Sequence, residues 1–189
     1  MVAELLRRLR RVPDRMLHAS RRRAALALLG ARPKPTSILV LCNGNIFRSP
    51  FAAAVLRRAL ASSGIRVDSA GLMAPGRPSP PDAVAAAAKR GFDLTTHRSQ
   101  PVTTELVRAA DLIVVMDSVQ SRVVRERFGR VPRDIVFLGD LDPEPAARRA
   151  IEDPVEQGEE VCGRVYARIE RCVTELTRAL GRLRSARVT

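Results

Sequence analysis

The chain has 189 residues, 46% of them hydrophobic but only 3% aromatic, with no Trp and a single Tyr. That length suits one domain with a real core, and the scarcity of aromatics argues against a surface that reads nucleic acid by base stacking. The formal net charge of +13 is concentrated at one end, with +8 in residues 1–36 and +5 in the rest, so it marks a basic appendage rather than a basic domain and no nucleic-acid partner is expected.

Residues 1–36 read as a basic N-terminal extension made of two short helical pieces around Pro13. Leu5, Leu9 and Val12 recur at helical spacing opposite Arg7, Arg8, Arg10 and Arg11. A second piece runs from about Asp14 to Gly30, and Arg32-Pro33-Lys34-Pro35-Thr36 follows as a stiff linker. The pattern is compatible with a solvated or partner-packed extension, with a peripheral helix on an anionic membrane surface, or with an Arg-rich transit segment. No stretch approaches the roughly 18 consecutive apolar residues of a membrane span. Cys42, Cys162 and Cys172 form no C-x-x-C pair and leave an odd thiol. That favours a reducing cytoplasm over a disulfide scaffold or a zinc site.

From Ser37 onward, strand-like and helix-like runs alternate. Strands are expected at Ile38–Leu41, Ile65–Ser69, Leu112–Met116 and Asp134–Leu138. Helices are expected at about 49–62, 82–90, 102–109, 118–127 and 156–182. This alternation predicts an α/β fold with a central four-stranded parallel sheet and helices on both faces. The expected boundaries are 1–36 for the extension and linker, 37–182 for the domain and 183–189 for a C-terminal tail.

The segment Cys42-Asn43-Gly44-Asn45-Ile46-Phe47-Arg48-Ser49-Pro50 lies between the first strand and the first helix of that domain. Open α/β sheets bind ligands there, and unpaired backbone N–H groups at a helix start favour a phosphate. A cysteine in this position is favoured as a thiolate, while Arg48 offers a planar fork for two phosphate oxygens. Gly44 allows the backbone to curl, Asn45 tolerates a left-handed conformation, and Ser49 is expected to cap the helix that Pro50 continues. The spacing alone also fits a small buried cysteine beside a glycine turn. GxxxxGK[ST] is absent, so a nucleoside triphosphate is not indicated. Two Asp-Pro pairs, Asp142-Pro143 and Asp153-Pro154, each offer a carboxyl group as general acid.

Leu41–Pro50 resembles the signature loop of the low-molecular-weight protein tyrosine phosphatases. The resemblance continues through Ser69-Ala70-Gly71, Gly76-Arg77-Pro78, Gly91–Ser99, Asp111–Asp117, Leu138–Pro143 and Ile151–Pro154, in the family's order. It implies a flavodoxin-like doubly wound fold and a cofactor-free, metal-free hydrolysis of phosphotyrosine in proteins. Cys42 would be the nucleophile, residues 43–48 and Arg48 the phosphate site, and Asp153, from the second Asp-Pro, the acid. Asn45, Ser49, Ser69 and His97 match a supporting hydrogen-bond network, and Asp117 a carboxylate that orients the arginine. Asp117 is equally suited to capping the next helix, and Cys162 and Cys172 to being buried structural thiols. A tyrosine kinase would be the bacterial partner.

Two departures stand out. Phe47 occupies the place where relatives often carry a second cysteine, which removes a route of reversible oxidative protection. Leu72-Met73-Ala74-Pro75 and Val155 stand where the family usually flanks its pocket with aromatics. Ile46 matches the tyrosine-directed members, whereas arginine phosphatases of the family tend to have Thr. An arsenate reductase of this fold would need resolving cysteines around residues 111–125, and none is present. A catalytically silent binding module anchored by its basic N-terminus is the remaining alternative.

Overall fold

A computed structural model describes the backbone of residues 2–183 and the side chains of residues 16–183. Most of the expected tail, from residue 184 on, lies outside the described residues. Four strands form one sheet: β1 (Ser37–Cys42), β2 (Arg66–Gly71), β3 (Leu112–Val115) and β4 (Ile135–Phe137). Every neighbouring pair is parallel, and the spatial order is β2-β1-β3-β4. All residues of β1 and β3 are buried, as expected of strands covered on both faces.

The two faces belong to two cores. Ile38, Val40, Leu112 and Val114 pack beneath α2 (Arg48–Ala59), α3 (Pro81–Ala88) and α6 (Gly158–Gly181). Leu39, Leu41, Ile113 and Val115 pack on the other face with residues of α4 (Thr104–Ala109) and α5 (Ser118–Phe128). Helix α6 earns its place through Cys162, Val165, Ile169, Cys172, Val173, Leu176 and Leu180, all buried along one stripe. The strand order reverses between β1 and β3, so a crevice opens at their carboxyl ends. Cys42 ends β1 and Asp117 follows β3, which brings both to that crevice.

The N-terminal extension differs from the expected two pieces. It is a single helix, α1 (Val2–Gly30), which continues through Pro13. A proline inside a helix removes one backbone hydrogen bond, but Arg, Leu and Ala, the strongest helix formers, dominate this segment. The described end of α1 packs on α6 and on the turn Leu138–Leu141. Leu29 is fully buried in the same core as Phe51 and Leu56, a contact that stabilises by about 1.5–3 kcal/mol. Arg22 pairs with Glu175, and the His18 ring bonds to the Asp142 carbonyl at 3.0 Å. Asp142 itself is 1% exposed and is held by Arg168 and Arg171. Among the described residues no helix is long and apolar enough to cross a membrane.

Candidate active site

The loop after β1 is built around Asn45. Its backbone is left-handed, with φ of 51°, and its side chain bonds in three directions. Asn45 Nδ2 donates to Ser49 Oγ at 2.9 Å and to Ser69 Oγ at 3.0 Å, while Oδ1 accepts from the Gln100 N–H at 2.9 Å. The Asn45 carbonyl lies 2.7 Å from His97 Nε2. A carbonyl only accepts, so His97 carries its proton on Nε2. Burial is the largest influence on that ring and lowers its pKa below the usual 6.5, which keeps it neutral in its donor role.

Two donors converge on Cys42 Sγ. The Asn45 N–H is 3.2 Å away and Ser49 Oγ is 3.0 Å away. Because Ser49 Oγ accepts from Asn45, its own hydrogen is left for the sulfur, with the Ala70 carbonyl at 3.5 Å as the alternative. The expected capping role of Ser49 is not observed. Helix α2 begins at Arg48, Phe47 takes the N-cap position, and no side chain caps it. Ser49 is two residues past the cap position and turns inward instead. Gly44 likewise keeps an ordinary φ, and the left-handed residue is Asn45.

A second glycine shapes the loop from outside it. A Cβ on Gly71 would sit 2.7 Å from the Asn43 carbonyl oxygen and 2.8 Å from Asn45 N. Both are backbone atoms and cannot swing aside. The Leu72 N–H also donates to the Asn43 carbonyl at 2.7 Å, so the end of β2 clamps the loop.

Arg48 is 2% exposed. Its Nη1 donates to the Ile151 carbonyl at 3.0 Å and lies 3.6 Å from Asp117 Oδ2, while Nη2 pairs with Asp153. Its Nε is buried without a hydrogen-bond partner. One side of the guanidinium is therefore anchored, and the Nε/Nη2 edge is the fork left for two oxygens of a tetrahedral anion. Asp153 lies against that edge, with Asn43 Nδ2 at 3.5 Å from its Oδ2. Asp117 does two jobs at once: Oδ1 accepts the Val119 and Gln120 N–H groups at the start of α5, and Oδ2 faces Arg48.

The structure thus gathers Cys42, Asn45, Arg48, Ser49, Ser69, His97, Asp117 and Asp153 around one crevice. Gly44 joins through the backbone of the loop, and Asn43 through its side-chain bonds to Asp153 and Gln120. The side chains of Ile46 and Phe47 point elsewhere: both are buried in the core, and the Phe47 carbonyl accepts from Tyr166 Oη at 3.2 Å. Cys162 and Cys172 are buried free thiols, and burial pushes them up to about 11 and about 12, so neither supplies a thiolate at neutral pH. Met73 and Val155 are exposed, which leaves the mouth aliphatic.

Three residues escaped the sequence reading. Gln120 is fully buried; its Oε1 accepts from Met116 N at 2.7 Å, and its Nε2 donates to Asp117 Oδ2 at 2.8 Å and Asn43 Oδ1 at 3.3 Å. Asp117-x-x-Gln120 is a capping-box spacing, the signal that would have found it. Gln100 ties Asn45 to the Ser69 carbonyl, and Arg77 Nη1 approaches Gly44, 3.6 Å from where a Cβ there would stand. Neither carries a local signal.

A flavodoxin-like α/β sheet whose β1 ends in a Cys-x5-Arg loop closed by an Asp-Pro segment defines a class of phosphatase. The sequence profile of the family described as low molecular weight phosphotyrosine protein phosphatase matches residues 37–186, and the chain belongs to that family. A probable low molecular weight protein-tyrosine-phosphatase, EpsP of Ralstonia solanacearum, is 44% identical over 107 residues, 56% of this chain and 72% of the relative. The low molecular weight protein-tyrosine-phosphatase Etp of Escherichia coli is 34% identical over 154 residues, 80% of this chain and 99% of the relative. The crystal structure of the Erwinia amylovora tyrosine phosphatase AmsI superposes with a TM-score of 0.70 at 30% identity, covering 78% of this chain and 95% of that one. The YwlE arginine phosphatase of Geobacillus stearothermophilus superposes with a TM-score of 0.69 at 28% identity, covering 78% and 94%.

Proposed function

We propose that this protein hydrolyses phosphotyrosine in proteins through a cysteinyl-phosphate intermediate. The observation that carries the reading is the pairing of Cys42 Sγ, held by two donors, with the unpartnered Nε of Arg48 in one crevice. The Arg48 fork and the loop N–H groups take the equatorial oxygens of the phosphoryl group. That hands the Nη2 edge from Asp153 to the substrate and leaves the Asp153 carboxyl group beside the leaving oxygen. Cys42 sulfur attacks phosphorus as the P–O bond to the phenol breaks, and the Asp153 proton goes to the departing oxygen. In the second step the Asp153 carboxylate takes a proton from water. The water oxygen attacks phosphorus, the S–P bond breaks, and thiolate and inorganic phosphate are released.

The donors aimed at the sulfur and at the oxygens stabilise charge where it develops, which is the largest lever such a site has. Asn45, Ser69, His97 and Gln100 position the loop, and Gln120 with Asp117 positions Arg48. Met73 and Val155 offer the substrate ring aliphatic contact. The substrates are phosphotyrosine proteins, a tyrosine kinase among them. The test compares phosphotyrosine, phosphoserine and phosphoarginine peptides with freshly reduced protein. Turnover of the first, lost by about 10⁴-fold or more in Cys42→Ser, is the expected result; equal rates in Cys42→Ser would overturn the assignment.

A further inference from the structure

At the opposite, amino-terminal end of the sheet lies a second cavity, of about 900 Å³. The segment Arg32–Thr36 that connects α1 to β1 forms one wall. The starts of β3 and β4 form the other, through Ala110, Asp111, Arg133 and Asp134. Its volume falls in the range of ligand sites, roughly 300–1,000 Å³. It stands about 17 Å from Cys42, the length of β1.

Five cations line it, Arg32, Lys34, Arg108, Arg130 and Arg133, against two carboxylates. Both carboxylates are already committed. Asp111 Oδ2 accepts from Thr36 N and Oγ1 at 2.8 and 2.7 Å, and Asp134 pairs with Arg130 at 3.2 Å. Arg130 is further spent on the Ala110 carbonyl at 2.8 Å. Lys34 and Arg133 form no ion pair among the described residues. Arg32 donates from Nη2 to the Asp111 carbonyl, but its Nε and Nη1 are buried with no hydrogen-bond partner. Burial lowers its pKa, and outweighs the attraction of Asp134 and Asp111 that works to raise it. Two buried, unpaired N–H groups on a cation cost free energy until an acceptor meets them. Leu28, Pro33, Pro35 and Ala110 add an apolar wall beside the charges.

We propose that this cavity binds a small organic polyphosphate, its phosphates on Arg32, Lys34 and Arg133 and its organic part on the proline-lined wall. The excess of cations asks for more than one negative charge, and the apolar side favours a ligand that is not bare phosphate. The site is separate from the phosphatase crevice and does not depend on that chemistry.

Calorimetric titration of the full chain with ADP, and with pyrophosphate in parallel, tests it. Saturable ADP binding is expected, at least as tight as pyrophosphate, and weakened about tenfold or more in Lys34→Gln/Arg133→Gln. Arg32→Gln should weaken it likewise, and the double variant should leave aryl phosphate turnover unchanged. Unaltered ADP affinity in both variants, or ADP binding seen only as competition with aryl phosphate at Cys42, overturns the proposal. Binding of phosphoinositide vesicles that is lost in the double variant, with no binding of ADP, overturns it in favour of a lipid headgroup.

Discussion

The two ends of β1 use polar side chains in opposite ways. Around Cys42, donors and acceptors pair off almost one for one: Asn45, Ser49, Ser69, His97 and Gln100 satisfy one another before anything else arrives. Around Ser37, Asp111 ties down the start of the strand, yet cations remain in excess and two Arg32 N–H groups stay unpaired. The first end is a mould that selects by shape. The second is a charged recess that selects by sign. A mould fails when an atom moves by a fraction of an ångström, whereas a charged recess fails only when its charges change.

The largest expected effect strikes the mould's chemistry. Asp153→Asn should lower kcat by about 10²–10⁴ while sparing phosphate affinity. An unchanged kcat would disqualify Asp153. Asp142 would be a poor replacement, being buried and tied to Arg168 and Arg171. Gly71→Ala comes next, because its Cβ would press on the Asn43 and Asn45 backbone. It should cost about 1–3 kcal/mol in a denaturant melt and reduce kcat as well, although Gly71 touches no substrate; full activity would mean the loop is not a rigid mould. Asp111→Asn, at the other end, weakens the bonds from Thr36 and Ser37 and should cost about 1 kcal/mol. Its turnover should be normal, and a loss of activity would show that the two ends are not independent.

The smallest effect is a difference in pH response. His97 has a depressed pKa through burial. Its contribution to stability is therefore complete above the unfolded value near 6.5 and is lost as pH falls through the lower folded value. For Asp111, burial works to raise the pKa, but the bonds from Thr36 and Ser37 outweigh it and the net shift is downward. Its contribution is complete above the unfolded value near 3.9 and disappears only in stronger acid. Melting temperatures between pH 7 and 5 should thus fall more in wild type than in His97→Asn. Parallel curves would remove His97 from this account.

Much of the fold was legible because β1 and β3 are short, continuously apolar runs, and a strand buried on both faces has no other way to look. The loop was legible for a different reason, since its residues are adjacent in sequence. Gln100 and Arg77 were not legible because their partners lie across the fold: the bond from the Gln100 N–H to Asn45 spans 55 positions. Gln120 is local to Asp117, but its reach to Asn43 spans 77 positions. Ser49 is not the cap that its residue type suggests because α2 starts two residues earlier than such a cap requires, which turns its hydroxyl toward Cys42. The extension was misread as two pieces because Pro13 is a strong local signal that the rest of a long helix overrides. Its docking was hidden too. Nothing local distinguishes Leu29, which is buried, from Leu17, which is exposed.

That docking has a practical side. The family match starts at residue 37, and a chain trimmed to that boundary would appear complete. It would nonetheless lose Leu29 and Ala25 from the main core and uncover the surface of α6 and the Leu138–Leu141 turn on which they rest. Exposed apolar surface of that kind promotes self-association. The trimmed protein should keep its crevice but clump and lose activity faster on storage than the full chain. In this chain the hydrophobic core begins before the family match does.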